Sequence, residues 1–278
     1  MKLYDFDGMF DEKLSDYIAK NKGKYSESEW EDLIPVLYRK FGDTVIKSLG
    51  KSPRALYGEM SGEELVKCLR AHLKQGVPVS GFLCGVIEER NISDKLFPLL
   101  DGTAAEKEYA VNLIGADNRA IKKYMEMLVR CDDADLKEKC AEYIKEKADV
   151  VISEALENYK NGVEREYMLE ILSRSVVPQE EIFNILIKEF RTDSENMQVR
   201  AAQLAAYGDE RALPYLFERI DEDDISYLDF RELKFAIEAL GGEYIAERDF
   251  SEDAGYLLLK SHEVRNQPLA DTNGKKQN

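Results

Sequence analysis

A run of acids near the C-terminal end of the chain has the spacing most suggestive of chemistry. Four of them occupy positions 1, 3, 9 and 12 of the stretch 221–232, namely Asp221, Asp223, Asp229 and Glu232. Calcium-binding loops place oxygen ligands at these positions. Position 5 is Ile225, however, and position 6 is Ser226, where such a loop needs glycine for its turn. We therefore expect a solvated loop whose acids favour the N-terminus of the next helix, with weak cation binding as the alternative.

A separate pair of acidic residues lies near the N-terminus. Asp5-Phe6-Asp7-Gly8 resembles the first motif of haloacid-dehalogenase-type phosphatases, which implies a nucleophilic Asp5 and an acid/base Asp7. In that family the motif follows a buried strand and is completed by threonine or valine. Here Met9 stands at that position, and no parallel-sheet pattern follows. The sequence does not favour this enzyme.

Histidines and cysteines offer little further chemistry. The two histidines, His72 and His262, are far apart in sequence, and neither belongs to a recognisable triad or metal motif. The four cysteines lack the paired spacing of a zinc site: Cys68, Cys84, Cys131 and Cys140. Because they fall in apolar-periodic segments, we expect buried free thiols in a reducing cytosol. We predict no catalytic residues, no metal and no cofactor.

The charge of the chain restricts its partners. There are 55 acidic and 39 basic residues, giving a formal net charge of −16. Nucleic-acid binding relies on Lys and Arg neutralising phosphates, so this balance disfavours it. Such acidity serves solubility or suits a basic partner. The sequence shows neither a signal peptide nor an apolar run of roughly 20 residues, so we expect a cytoplasmic protein without membrane spans.

Short amphipathic helices occupy most of the chain. Leu65, Cys68, Leu69 and Leu73 form one apolar stripe at helical spacing, and a second helix follows Ser80. The stretch 91–94 ends that helix and caps a third, which carries Leu96, Phe97, Leu99 and Leu100. Trp30 to Phe41 belong to another helix, opened by Ser26 or Ser28 and closed at Gly42. Nine more helices are predicted, over 104–114, 118–130, 134–147, 149–160, 164–174, 179–190, 196–207, 210–220 and 227–240. No segment alternates like a strand, so the predicted fold class is all-α.

The helices recur in pairs. Second helices of successive pairs are predicted to end near Gly115, Lys147, Ser175, Gly208 and Gly241. A two-helix unit that repeats about every 30 residues is typical of an α-solenoid.

The best-defined unit carries a family resemblance. Val199 to Leu216 reads VRAAQLAAYGDERALPYL and resembles the HEAT-like repeat of bilin-lyase relatives, whose pattern is V-R-x-x-A-x-x-A-L-G followed by D-x-x-A-[LI]-P-x-L. The match is strong over 196–241 and weaker over about 61–250. It implies a right-handed α-α superhelix of about five to six helical hairpins. Residues 1–60 are interpreted as an N-terminal helical cap, 61–250 as the repeats, and 251–278 as a C-terminal segment with a disordered tail from Asn266.

The resemblance also implies where a partner binds, because the second helices of such a superhelix line its concave face. With a register of 31 residues, a polar stripe on one predicted helix aligns with a stripe on the next: Arg200, Gln203 and Tyr207 over Arg231, Lys234 and Glu238. This ladder is predicted to bind an acidic peptide or carboxylate. The alternative is that its Arg and Lys pair with acids of adjacent repeats.

The leading functional hypothesis is a non-enzymatic scaffold or adaptor that binds another protein or peptide. The alternative is an enzyme of the HEAT-like group, either a nucleic-acid glycosylase or a lyase acting on a chromophore or protein. The glycosylases use a basic, aromatic concave face, whereas the only tryptophan here, Trp30, lies outside the repeats. A third hypothesis is a regulator whose residues 1–60 carry the specific function.

Overall fold

The fold is entirely helical in a computed structural model, which describes residues 2–266 and their side chains up to Ser261. Sixteen α-helices follow one another in that range: α1 (Phe6–Lys20), α2 (Glu27–Asp43), α3 (Pro53–Gly58), α4 (Gly62–Gln75), α5 (Gly81–Glu89), α6 (Ser93–Leu96), α7 (Ala104–Ile114), α8 (Asn118–Arg130), α9 (Ala134–Lys145), α10 (Ile152–Lys160), α11 (Arg165–Leu172), α12 (Glu180–Thr192), α13 (Met197–Tyr207), α14 (Leu213–Ile220), α15 (Tyr227–Ala239) and α16 (Ala254–Asn266). The β pairing within residues 2–266 is one isolated bridge, Ile46 with Lys51. The all-α prediction is confirmed.

Local capping explains why the helix ends were predictable. Before α7, the Thr103 hydroxyl accepts a hydrogen bond from the Glu106 backbone N–H at 3.3 Å. The Glu106 carboxylate accepts one from the Thr103 N–H at 2.9 Å, which completes a capping box. Ser26 before α2 and Ser61 before α4 form the same arrangement with the third residue of their helices.

Glycines end two of the helices that matter most below. Gly208 follows α13 with φ 75°, and Gly241 lies just beyond α15 with φ 81°. In this left-handed region a side chain clashes with the backbone, so glycine is the preferred residue for turning the chain out of a helix. The two predicted helix stops lie where expected.

Three helices escaped prediction, namely α1, α3 and α16. In α1, Asp5 caps the N-terminus by accepting a hydrogen bond from the Gly8 N–H at 2.8 Å. Apolar residues recur at helical spacing from Phe6 to Ile18, although only Phe6 and Phe10 of this helix are buried. The predicted disordered tail, 266–278, lies outside the described residues after Asn266.

The chain divides by packing into two compact units, one ending at Tyr143 and the other beginning at Ile144. In the N-terminal unit, α1 packs on α2, α2 on α3 and α3 on α5, while α4 packs on α5, α6 and α7. Contacts between aromatic rings connect α1, α2 and α5 in this unit. The Tyr38 and Phe82 rings stack with centroids 4.4 Å apart, and the Phe10 ring meets Tyr38 edge-on at 5.0 Å. The predicted boundaries at residues 60 and 250 stay predictions.

The C-terminal unit is built from consecutive helix pairs. Helix α10 packs on α11, α12 on α13 and α14 on α15. The second helices also pack on one another, α11 on α13 and α13 on α15. Each of these three helices contributes fully or almost fully buried aliphatic side chains, including Leu172, Leu204 and Ile237. This burial is the dominant source of stability for short helices.

Candidate functional site

Helices α13 and α15 carry the six residues of the predicted ladder, and the structure packs these two helices together. A side-chain hydrogen bond crosses between them, from Gln198 Nε2 to Asp229 Oδ1 at 3.1 Å. The neighbouring placement of the two helices therefore agrees with the sequence interpretation.

The six residues, however, do not share one face. Arg200 and Gln203 are buried, with 2% and 5% of their surface exposed. Tyr207 and Lys234 are half-buried, and Arg231 and Glu238 are exposed. The reason is the register: counted from Gly208 and Gly241, Arg200 corresponds to the buried Leu233, not to Arg231.

Arg200 is engaged within the protein. Its Nε and Nη2 donate to Asp193 Oδ2 at 2.9 and 2.6 Å, and Nη2 also donates to Glu166 Oε1 at 2.9 Å. Its Nη1 donates to Gln203 Oε1 at 3.2 Å. Burial raises the pKa of Asp193, but hydrogen bonds from Asn196 and Arg200 outweigh it and lower that pKa. Arg200 thus joins α11, the turn before α13 and α13 itself.

Tyr207 also has an internal role. Its hydroxyl accepts a hydrogen bond from the Gln179 N–H at 2.8 Å and donates one to the Gln179 carbonyl at 3.0 Å. Gln179 immediately precedes α12, so Tyr207 fixes the start of α12 against the end of α13.

Outward-facing side chains of α13 and α15 form a different surface, which we call the α13–α15 face: Gln198, Val199, Ala202, Arg231 and Phe235. All five are exposed, and the large apolar ones are 45% exposed at Val199 and 62% at Phe235. The Arg231 guanidinium has one ion pair among the described residues, with Glu232 at 3.4 Å. The face therefore combines an open aromatic ring with a weakly held cation.

One Asp-x-Arg segment in each unit forms the same set of contacts, and we call this arrangement the arginine latch. In the N-terminal unit, Asp117 caps α8 and accepts hydrogen bonds from Arg119 Nε at 3.0 Å and Nη2 at 2.6 Å. Arg119 also pairs with Asp94 and stacks over Phe97, its guanidinium carbon 5.2 Å from the ring centroid. The cation links α8 to α6, with α7 between them in sequence.

The C-terminal unit repeats this geometry. Asp209 accepts from Arg211 Nε at 3.0 Å and Nη2 at 2.7 Å. Arg211 pairs with Glu180 at 2.7 Å and stacks over Phe183, 4.2 Å from the ring centroid. In both latches the acid and the aromatic ring are three residues apart on the earlier helix, so they share one helix face.

A crevice lined by residues from several helices opens in each unit. The N-terminal crevice has a volume of about 250 Å³ and is lined by Leu100, Asp101, Lys107, Lys123, Glu126, Met127, Arg130, Cys131 and Leu136. The C-terminal crevice has a volume of about 360 Å³ and is lined by Phe190, Arg191, Ser194, Met197, Tyr215, Glu218, Arg219, Glu222 and Asp224. The residues of the N-terminal crevice come from α7, α8, α9 and the turns before α7 and after α8, and those of the C-terminal crevice from α12, α13, α14 and the turns after α12 and α14.

The two crevices differ in charge. Three cations and two carboxylates line the N-terminal one, whereas two cations and three carboxylates line the C-terminal one. In the C-terminal crevice, Arg219 pairs with Glu222 and Asp224, and Arg191 stacks on Tyr215 at 5.8 Å. An anion is attracted more strongly to the N-terminal crevice. Sequence reasoning missed its residues, since isolated lysines and arginines carry no motif.

The N-terminal acids of the phosphatase-like motif have structural partners. Asp5 caps α1, as described above. Asp7 Oδ1 accepts a hydrogen bond from the Tyr38 hydroxyl at 2.6 Å, and its Oδ2 accepts one from the Gly81 N–H at 3.4 Å. The motif lies at the start of a helix and not after a strand, so the geometry of that phosphatase family is not formed.

Two acidic side chains of the stretch 221–232 also have hydrogen-bond partners within the protein. Asp221 accepts a hydrogen bond from the Tyr244 hydroxyl at 2.8 Å, and Asp229 accepts one from Ser226 Oγ at 2.7 Å at the start of α15. Because α15 begins at Tyr227, the second half of the stretch is helix instead of loop. No group of three or more His, Cys, Asp or Glu side chains able to hold a metal occurs among the described residues.

His72 is fully buried in α4. Its Nδ1 lies 2.9 Å from the Pro78 carbonyl, so Nδ1 carries the proton, and Nε2 has no hydrogen-bond partner within the described part of the chain. The side chain of His262 lies outside the described residues. The thiols are free, and Cys68 and Cys140 are buried as predicted. Cys84 and Cys131, which were also predicted to be buried, are half-exposed.

In residues 2–266 no helix has the length and apolar character needed to cross a membrane. Comparison of the chain with models of protein families, with characterised proteins and with solved structures gives no significant match.

Proposed function

We propose that this protein is a HEAT-like helical scaffold that binds another protein or peptide through the α13–α15 face. In this proposal its hairpins form a right-handed superhelix, with α11, α13 and α15 as successive second helices. The pairwise packing of α10 to α15 supports the repeat, as do the two arginine latches at corresponding places.

The exposure of Phe235 carries the binding proposal. The Phe235 side chain is 62% exposed, so most of its apolar surface is in contact with water, which is unfavourable. A partner that covers the ring removes this surface from water, which favours binding. Arg231 lies one helical turn before it, and aromatic and arginine side chains dominate the energetic centres of protein interfaces. Ala202 on α13 is exposed and small, which leaves room for a partner beside the ring.

Site-specific photo-crosslinking tests this assignment. A benzophenone amino acid is placed at Phe235 or Val199 in the full chain, expressed in the source cell. Val36 and Val45, which are 49% and 61% exposed in the N-terminal unit, serve as matched controls. We expect the same protein to be captured from positions 235 and 199, and to be lost when Arg231→Glu is added. Equal capture at the controls, or none at the face, contradicts the proposal.

Small-angle X-ray scattering of the full chain tests the superhelix separately. A compact globule of this length has a radius of gyration of about 19 Å. A superhelix gives a clearly larger value and an elongated distance distribution. A compact profile would contradict the superhelix but leave the binding face to be judged by crosslinking.

A further inference from the structure

The N-terminal crevice holds cations that the fold does not use. Lys123 is paired, with its Nζ 2.7 Å from Asp101 and 3.3 Å from Glu126. Lys107 and Arg130 line the same crevice, and neither has an acidic partner among the described residues. The chain has an excess of acidic residues and a net charge of −16, so most cations are expected to find an acidic partner. Two cations in the same crevice that have none in the described part of the chain are therefore unexpected.

Apolar side chains lie beside these cations. Met127 and Leu136 are almost fully buried, with 6% and 4% exposed, and they line the crevice together with Leu100. Ligand sites in proteins have this composition: an apolar surface with a few polar groups that fix orientation. A ligand that satisfies both parts carries a negative charge next to an aliphatic group.

The charge count selects the anion. The crevice holds three cations and two carboxylates, so one net positive charge is left to be neutralised. A monoanionic carboxylate matches that charge. A dianionic phosphate brings a second negative charge towards Asp101 and Glu126, which repel it.

We propose that the N-terminal crevice binds an aliphatic carboxylate, with Lys107 and Arg130 on the oxygens and Met127 and Leu136 against the aliphatic part. Two sources offer this chemistry: an acidic residue beside a leucine in a peptide, and a free short-chain acid. This site lies in the N-terminal unit, so it is independent of the α13–α15 face.

Methyl NMR of the full chain tests the site. The probes are hexanoate and acetyl-leucyl-glutamate amide. Hexanamide serves as an uncharged isostere and hexyl phosphate as a dianion. We expect saturable shifts of the Met127 and Leu136 methyl signals with both carboxylates, and the tighter of the two identifies the source. Alkylation of Cys131, at the crevice edge, should slow on binding.

The variant Lys107→Gln/Arg130→Gln removes the two cations that lack a carboxylate. We expect carboxylate binding to weaken about tenfold, because two charge-assisted contacts are lost. Arg39→Gln/Lys47→Gln makes the same change in net charge at exposed sites elsewhere in this unit, and should leave binding unchanged. The single change Arg130→Gln serves if the double variant unfolds. Linear, unsaturable shifts, equal loss in both double variants, or equal binding of hexanamide overturns the proposal. Tighter binding of hexyl phosphate does so too.

Discussion

Arg200 holds Asp193 through two hydrogen bonds to a single carboxylate oxygen, from Nε at 2.9 Å and from Nη2 at 2.6 Å. The arginine is 2% exposed, while the Asp193 side chain is 23% exposed. Buried cations of this kind are retained only with their partners, because desolvation of an unpaired charge costs several kcal/mol. Arg200 is thus a structural residue of α13 in this fold.

Replacing Arg200 with alanine tests that role. We expect the free energy of unfolding to fall by about 2–3 kcal/mol, since Asp193 and Gln203 lose a charged hydrogen-bond donor. Arg231→Ala, on the exposed side of α15, should change it by less than about 0.5 kcal/mol. Urea denaturation measures both. Equal effects of the two substitutions would show that the Arg200 pair contributes no more than an exposed charge.

The arginine latches predict a dependence on pH. Hydrogen bonds from Arg119 lower the pKa of Asp117, and those from Arg211 lower the pKa of Asp209. A carboxyl with a lower pKa in the folded state stabilises the fold above its unfolded pKa of about 3.9. That contribution is lost as the pH falls through the folded pKa.

Asp117→Asn/Asp209→Asn should therefore be less stable than the natural chain at about pH 7, with the difference shrinking towards about pH 3. Urea denaturation at several pH values measures this. Asp43→Asn/Asp223→Asn, at highly exposed carboxylates, is the control with the same change of charge. A constant difference between the latch variant and the natural chain across this range would refute the latch as a source of acid sensitivity.

Two glycines of different backbone conformation should respond oppositely to alanine. At Gly208, with φ 75°, a Cβ meets nothing within 4 Å, so the penalty is backbone strain alone, about 1 kcal/mol. Gly85 lies inside α5, where a Cβ also finds open space and no left-handed φ is required. Gly85→Ala should stabilise the chain by about 0.5–1 kcal/mol. Thermal unfolding of both variants checks the signs, and matching signs would contradict the assigned conformations.

Thiol chemistry provides a prediction for Cys84. Burial, with smaller contributions from Glu88 and Asp7, raises the pKa of this half-exposed thiol to about 11. At about pH 8 only about one Cys84 side chain in a thousand is then ionised. An ordinary thiol, with a pKa of about 8.5, is ionised to a much larger extent at the same pH. Alkylation of Cys84 by iodoacetamide should be more than about a hundredfold slower in the native chain than in urea, as measured by peptide mass spectrometry. Similar rates would show that Cys84 ionises freely.

Much of the helical order could be read from local signals. The boundaries predicted at 104–114 and 118–130 match α7 and α8, since Thr103 and Asp117 cap these helices and Gly115 separates them. Helix α1 carried local signals too, since Asp5 is its N-cap and apolar residues recur at helical spacing from Phe6 to Ile18. The interpretation of Asp5 and Asp7 as phosphatase-like acids left this helix unpredicted.

The candidate sites were less accessible to sequence reasoning. Whether Arg200 points inward depends on how α13 is rotated against α11 and α15, and a shift of register by two residues exchanges its buried and exposed faces. Lys107 and Arg130 share a crevice only because α7 and α8 come together in space. Their lack of an acidic partner is a property of the folded chain, which composition does not contain.

The arginine latches also bear on how the chain is made. Arg119 reaches back 25 residues to Asp94, and Arg211 reaches back 31 residues to Glu180. Each latch closes over a short stretch of sequence, so on the ribosome it can form as soon as that much chain has emerged. Folding can then proceed from the N-terminus during synthesis, with each newly made hairpin held to its predecessor before the next one appears.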